Sequence, residues 1–478
     1  MTSDVEPIEF LSSFLTLPAV CYEKSRPDGA SAPTLIAFND ALAANLGLRP
    51  NALKLQQKLN VFSGNALPPS ANPVAMAYAG HQFGHFSPQL GDGRAHLIGE
   101  LDNQAGQRFD VQLKGSGRTP FSRGGDGRSA LGPVIREYLV SEAMHTLGVP
   151  TTRALAAVAT GEQVFRETPE PGGILTRVAA SHLRIGTLQF FAARGATDVV
   201  AALVSFALER HYSDIDTDES DALRLFKAVA ARQANLVAHW MSLGFIHGVM
   251  NTDNMSLSGE TIDYGPCAFM DEYRADKVFS AIDRGGRYAY SQQPLIAQWN
   301  LARLAECLLL LDDRQALFEE VLSKFRLQCQ THFVSRMHSK LGLAKSVATD
   351  ASLIDEWLAM MEAESADFTV TFRELADALE RNTPTSDHPA YLRWWQRVTE
   401  QDAPRASIAQ SLRATNPAVI PRNHQIAAVI QAAYEGDYAP FHRLHDVLGR
   451  PFESTEASRP YELPPRDSER VRQTFCGT

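Results

Sequence analysis

Several of the specialised protein classes are poorly supported by this chain. Cysteine is scarce: Cys21, Cys267, Cys307, Cys329 and Cys476 are the five in 478 residues. No two form a CxxC pair, so a disulfide scaffold is not expected and a reducing cytoplasm is the natural setting. The opening residues, MTSDVEPIEF, hold no basic segment followed by an apolar one, so neither a secretory signal nor an Arg-rich transit peptide is expected. No apolar run reaches the ~20 residues of a membrane-spanning helix. Positive charge is in deficit: 45 Lys and Arg against 55 Asp and Glu give a net charge of -10. That balance disfavours broad binding to nucleic acid or anionic membranes, whose phosphates reward a basic surface. Any phosphate held here must meet locally placed basic residues.

What is present is an ordinary globular composition, 44% hydrophobic and 21% charged. The length suits two or three domains or one elaborated two-lobed unit. Residues 1–75 are interrupted by SAPT, GLRPNA and LPPSANP and read as an N-terminal extension. Between Gly80 and Gly127, turn signals separate short strands at hairpin spacing. In FDVQLK, Phe109, Val111 and Leu113 share one face and Asp110, Gln112 and Lys114 the other, the pattern of a half-buried strand. Gly132-Pro133 opens a helix that Gly148 closes, with Ile135, Leu139 and Ala143 as its packed stripe. Strands are expected at RALAAVAT and GGILTRVA. Helical spacing then dominates from LQFFAARG through VVAALVSFALERHY and LFKAVAARQANLVAHWMSLG to LIAQWNLARLAECLLLL, and on to QIAAVIQAAYEG. A strand-rich half before a helix-rich half predicts an α+β, two-lobed fold. The expected divisions are the extension at 1–75, a nucleotide-binding N-lobe at 76–180, a helical C-lobe at 181–345 and a helical C-terminal extension at 346–478.

The segment GFIHGVMNTDNMSLSGETIDYG is the most informative. A helix ending near Gly244 leads into a loop with His247, Asp253 and Asn254, and a short turn precedes Asp263-Tyr264-Gly265. Kinase-like enzymes place an Asn and a DFG-type Asp in this order, because magnesium on a triphosphate needs hard oxygen ligands from two adjacent loops. Asn254 and Asp263 fit those roles. In HxDxxxxN, however, the position of the usual base holds Val249, which accepts no proton. Either the chain is a catalytically dead nucleotide binder, or the base has moved to Asp253. Lys114 on its strand and Glu137 in the next helix reproduce the kinase ion pair over ATP phosphates. GDGR at 91–94 and GGDGR at 124–128 supply backbone N–H groups for close approach to phosphate, although neither is a Walker sequence. Arg94, Arg128, Arg177 and Arg184 flank these regions as planar forks for phosphate. Taken singly, each of these charged residues would pass for a surface residue; their order along the chain carries the reading.

These residues resemble the selenoprotein O family, kinase-fold proteins that attach AMP to protein hydroxyls. The likeness runs through YAGHQFGHFSPQLGDGRAHLIGE, LKGSGRTPFSRGGDGRSALGPVIREYLVSEAMHTLGVPTTRAL, HGVMNTDNMSLSGETIDYGPCAFMDEY, NPAVIPRNHQ and the terminal CGT. It implies a protein-kinase-like fold and a cysteine-containing member, with Cys476 where some relatives place selenocysteine. It implies that Gly91, Gly93, Arg94, Lys114, Asp126, Gly127, Arg177, Arg184 and Asp263 contact ATP, and that the nucleotide lies reversed, its α-phosphate toward the acceptor. It further implies that Asn254 and Asp263 hold Mg2+, or Mn2+ in its place, that Asp253 is the base, and that Glu137 pairs with Lys114. Cys267 and Cys476 match positions that a reversible disulfide links in relatives. The implied acceptors are Ser, Thr or Tyr hydroxyls of proteins, glutaredoxin-like redox proteins among them, with no nucleic acid or membrane partner and a monomeric enzyme. Two other readings stay open on spacing alone: a phosphotransferase that moves the γ-phosphoryl group, and a non-catalytic pseudokinase scaffold. Cys21, Cys307 and Cys329 read as structural, Cys307 lying in an apolar helix.

Overall fold

The computed structural model describes residues 8–215, 218–343 and 350–475. Cys476 lies outside them. Two strands, β1 (Tyr22–Lys24) and β2 (Thr34–Phe38), and two short helices, α1 (Asp40–Asn45) and α2 (Leu55–Phe62), come first. There follow β3 (Val74–Met76), the hairpin of β4 (Gly80–Gln82) and β5 (His85–Ser87), β6 (Ala95–Asp102), β7 (Arg108–Lys114), β8 (Ser129–Ala130), α3 (Leu131–Thr146), β9 (Arg153–Phe165) and β10 (Pro169–Ala179). The main sheet is antiparallel with the order β1-β3-β6-β7-β10-β9-β2, and β8 pairs with β10. Its strand-rich half precedes a helical half, as the periodicity predicts.

The expectation of an N-terminal extension at 1–75 is given detail by the packing of residues 8–75. β1 and β2 are strands of the main sheet, and Leu42, Leu46, Val61 and Phe62 cover its outer face against Val111, Leu113, Val158 and Ile174. Proline- and glycine-containing breakers interrupt helix and strand periodicity, but they do not stop short segments from burying apolar side chains on a sheet. The half-buried reading of FDVQLK is corrected. Its polar face is also covered, Asp110 being 2% and Gln112 0% exposed. Arg210 and His182 bind Asp110, and Arg177 and Asp92 bind Gln112, so every buried polar group on that face has a partner.

The helical half begins with α4 (Ile185–Ala192), α5 (Thr197–His211) and α6 (Asp221–Ser242). The last is capped by Ser220 Oγ, which accepts from Leu223 N. A two-residue ladder of β11 (Phe245–Ile246) and β12 (Ala268–Phe269) then closes the segment between them into one base, so the loops carrying Asp253 and Asp263 start and end together. Helices α7 (Gln293–Leu308) and α8 (Gln315–Lys340) pack on α6. Beyond α8, α9 (Asp350–Ala363), α10 (Phe368–Arg381), α11 (Pro389–Thr399) and α12 (Arg405–Thr415) form a second core around Trp357, Trp394 and Phe372. The chain then returns: α13 (Asn423–Tyr434) and α14 (Ala439–Leu448) pack on α3, with Tyr138 edge-on to Phe441 at 5.4 Å. The C-terminal third is thus two packing units rather than one. Among the described residues no helix is long and apolar enough to cross a membrane.

Candidate active site

Between the sheet and the helical half lies a cleft of about 960 Å³. β7 places Lys114 at its wall and α3 lays Glu137 beside it. The Lys114 Nζ–Glu137 Oε2 distance is 2.6 Å, and Nζ is also 2.6 Å from Asp263 Oδ1. β10, hydrogen-bonded to β7, brings Arg177 opposite Gln112. Arg177 Nη1 donates to Asp263 Oδ1 at 2.8 Å and lies 3.3 Å from Glu137 Oε1, and its Nη2 donates to Gln112 Oε1 at 2.7 Å. Arg184, immediately before α4, donates to Asp263 Oδ2 at 3.2 Å and to the backbone O of Asp253 at 2.9 Å, and it lies over the Tyr78 ring at 4.5 Å.

Three cations therefore share one carboxylate. Burial alone would raise the Asp263 pKa, but Lys114, Arg177 and Arg184 outweigh it and hold the group well below the usual carboxylate range. Asp263 sits at φ 67, a conformation unfavourable for a side chain with a Cβ, and the ion pairs and the following residues hold it there. Arg136 donates to Gly265 O at 2.9 Å and Cys267 O at 2.7 Å, while Tyr264 Oη hydrogen-bonds Thr151 Oγ1.

Asp253 is in a different electrostatic state. It occupies the single turn Thr252–Asn254 and is 7% exposed. Its Oδ1 has no hydrogen-bond partner, and Gln82 Nε2 stands 3.5 Å from Oδ2. Desolvation is the main reason its pKa rises to about 6. One carboxylate held ionised and another held ready to take a proton are the two environments that acid–base chemistry separates. Asn254 Nδ2 donates to Val249 O at 3.0 Å, which orients the side-chain amide. Val249 lines the cleft and His247 is buried behind it, bound to Ile262 O at 2.9 Å, with burial holding its pKa down.

Asp263 and Asn254 offer a carboxylate and an amide oxygen, hard donors that suit magnesium or manganese and not a soft metal. Among the described residues no group of three or more His, Cys, Asp or Glu is placed to hold a metal ion.

The glycine loops meet at the cleft's other wall. Ser122 Oγ donates to Gly93 O at 2.5 Å and Thr119 Oγ1 to Asp92 O at 2.7 Å, which ties the 91–94 turn to the segment leading to Gly127. Gly127 has φ +68, and a Cβ there would lie 2.1 Å from Gly117 O. Asp126 is held by Arg166 at 2.8 Å. The cleft brings together Gly91, Gly93, Arg94, Lys114, Asp126, Gly127, Glu137, Arg177, Arg184, Asp253, Asn254 and Asp263. Sequence reasoning did not single out Tyr78, Gln82, Asp92, Gln112 or Arg166. Gln112 had a signal, since it shares a strand face with Lys114. Gln82 had none.

Cys267 is buried, 1% exposed, between Asp263 and β12. Thr474 Oγ1 donates to Pro266 O at 2.6 Å, and Thr474 pairs with Ser280. Cys21, Cys307 and Cys329 are buried as expected of structural thiols, each pushed up to about 12 by desolvation.

The family model for protein adenylyltransferase SelO matches residues 6–449. The protein nucleotidyltransferase YdiU of Rhizobium meliloti (strain 1021) is 51% identical over 486 residues, covering 98% of this chain and 99% of that protein. The YdiU proteins of Bradyrhizobium sp. (strain BTAi1) and Bacillus cereus (strain AH187) are 52% and 49% identical, each over 98% of this chain and over 99% and 97% of their own lengths.

Proposed function

The chain belongs to the protein adenylyltransferase SelO family, enzymes that use ATP as donor and proteins as acceptors, and on that footing we propose a role for each group in the cleft. Lys114, Arg177 and Arg184 bind the phosphates of ATP, with the loops at Gly91, Gly93 and Arg94 and at Asp126 and Gly127 closing over the nucleotide. Glu137 and Gln112 orient Lys114 and Arg177. Asn254 and Asp263 hold Mg2+, for which Mn2+ substitutes; the cation supplies neutralisation of the charge that gathers on the phosphates. The Asp253 carboxylate takes the proton of a Ser, Thr or Tyr hydroxyl as the hydroxyl oxygen attacks the α-phosphorus. The bond from that phosphorus to the bridging oxygen breaks, AMP stays on the acceptor and pyrophosphate leaves toward the basic wall. The observation that best supports this reading is the presence, in one cleft, of an ionised, triply bound Asp263 and a buried Asp253 whose Oδ1 has no hydrogen-bond partner.

ATP labelled at the α- or the γ-phosphate is the direct test. With magnesium, the α label should enter protein and the γ label should not. EDTA should abolish incorporation, and added Mg2+ or Mn2+ should restore it. Transfer of the γ label would identify a phosphotransferase instead.

We also propose that the enzyme works as a monomer in the cytoplasm, that its acceptors include glutaredoxin-like proteins, and that Cys267 and Cys476 form a reversible disulfide. The docking of Thr474 on Pro266 supports the pairing, since two residues of chain span at most about 7 Å and Cys267 follows Pro266. Peptide mapping without reductant should find the 267 and 476 peptides linked, and dithiothreitol should separate them. A Cys476→Ser chain should lose both the link and any response of the transfer rate to reductant. Unlinked peptides under oxidising conditions would refute the pairing.

A further inference from the structure

The hairpin of β4 and β5 lies outside the phosphate-binding wall, yet it is fastened to the turn that carries Asp253. His81 N donates to Thr252 Oγ1 at 2.7 Å, and Phe83 N donates to Asn251 Oδ1 at 3.0 Å. Gly80 comes closest of all. A Cβ on Gly80 would lie 2.3 Å from Asp253 Oδ1, 2.8 Å from its Cγ and 2.9 Å from Leu90 Cδ1. Gly80 is not among the positive-φ glycines, so its backbone suits any residue and what glycine provides there is space. The other carboxylate oxygen, Oδ2, has Gln82 Nε2 at 3.5 Å, two residues along the same strand.

We propose that the strand Gly80–Gln82 positions the acceptor-activating carboxylate, Gly80 by leaving room for Asp253 Oδ1 and Gln82 by steering Oδ2. This rests on the reading of Asp253 as the base. Interiors are close-packed, so a methyl group at position 80 must displace something. The atoms nearest to it are those of the Asp253 carboxylate, the free end of a side chain, so this group gives way before any backbone does. A shift of about 1 Å at a reacting group is enough to lose on the order of 10²-fold in rate. Neither residue is assigned to the nucleotide, so the loss falls on turnover and not on ATP binding.

The test measures kcat, the KM for ATP and thermal stability for Gly80→Ala and for Gln82→Met, a near-isostere without the amide donor. Gly80→Ala should lower kcat by about 10- to 100-fold with KM within about twofold and an unchanged melting temperature. Gln82→Met should lower kcat several-fold in the same manner, and Gln82→Asn should recover part of it. In an Asp253→Ala background, Gly80→Ala should have no further effect, because the group it displaces is gone. Wild-type kcat in both single variants, a loss expressed in KM alone, or full additivity with Asp253→Ala would overturn the positioning role. If Asp253→Ala by itself leaves kcat intact, the reading of the base fails, and the positioning inference fails with it; a normal Asp253→Ala loss beside an additive Gly80→Ala isolates the failure to the hairpin.

Discussion

Asp263→Ala should lower the rate of AMP transfer by about 10³-fold or more and should also weaken the folded state. Two losses coincide at this side chain. It is one of the two proposed cation ligands, and it is the carboxylate that Lys114, Arg177 and Arg184 share. The side chains of Arg177 and Arg184 are each 3% exposed, so with the carboxylate removed both keep little solvation beyond the cleft. Arg177 keeps Glu137 and Gln112, whereas Arg184 keeps the backbone O of Asp253 and, at 4.0 Å, Asp92. Removing one partner of a buried pair costs about 3–5 kcal/mol, and the position of Asp263 on an open cleft, with its side chain 22% exposed, lowers the expectation to ~2 kcal/mol. Incorporation of the α label and thermal melting without nucleotide measure the two effects. A variant that retains a tenth of the wild-type rate, or that melts with the wild type, contradicts the shared-carboxylate account.

Asp253→Ala should behave in the opposite way toward stability. Turnover should fall by about 10²- to 10⁴-fold, the range associated with a positioned proton acceptor. Affinity for ATP and magnesium should stay within a few-fold, because no phosphate-binding side chain depends on the Asp253 carboxylate; Arg184 uses its backbone oxygen, which alanine keeps. The protein should melt at or above the wild-type temperature, since a buried carboxylate whose Oδ1 has no hydrogen-bond partner is a burden on the fold. Single-turnover rates, nucleotide titration and calorimetry separate these quantities. Loss of ATP binding together with turnover would move Asp253 from proton transfer to nucleotide placement.

Much of the site was legible because the chemistry imposes an order on the chain. A strand lysine, a helix glutamate, an Asn loop and an Asp-Tyr-Gly appear in the sequence as they meet in space, and Val249 showed that the usual position of the base holds no proton acceptor. The partners of these residues were not legible. Gln82 reaches Asp253 from 171 residues away, and Gln112 meets Arg177 across 65, separations over which no periodicity operates. The packing of residues 8–75 was not legible for a related reason. Their apolar residues are dispersed among breakers, and only the sheet they cover reveals that they pack together.

The two-lobed α+β class and the elements that carry each charged group follow from the sequence, because local periodicity and turn chemistry are properties of neighbouring residues. Long-range packing sets the two carboxylates apart, holding Asp263 ionised and raising the pKa of Asp253. Asp253 and Asp263 are the same residue type ten positions apart; three cations converge on one and desolvation governs the other, and both conditions are set by chain segments distant in sequence.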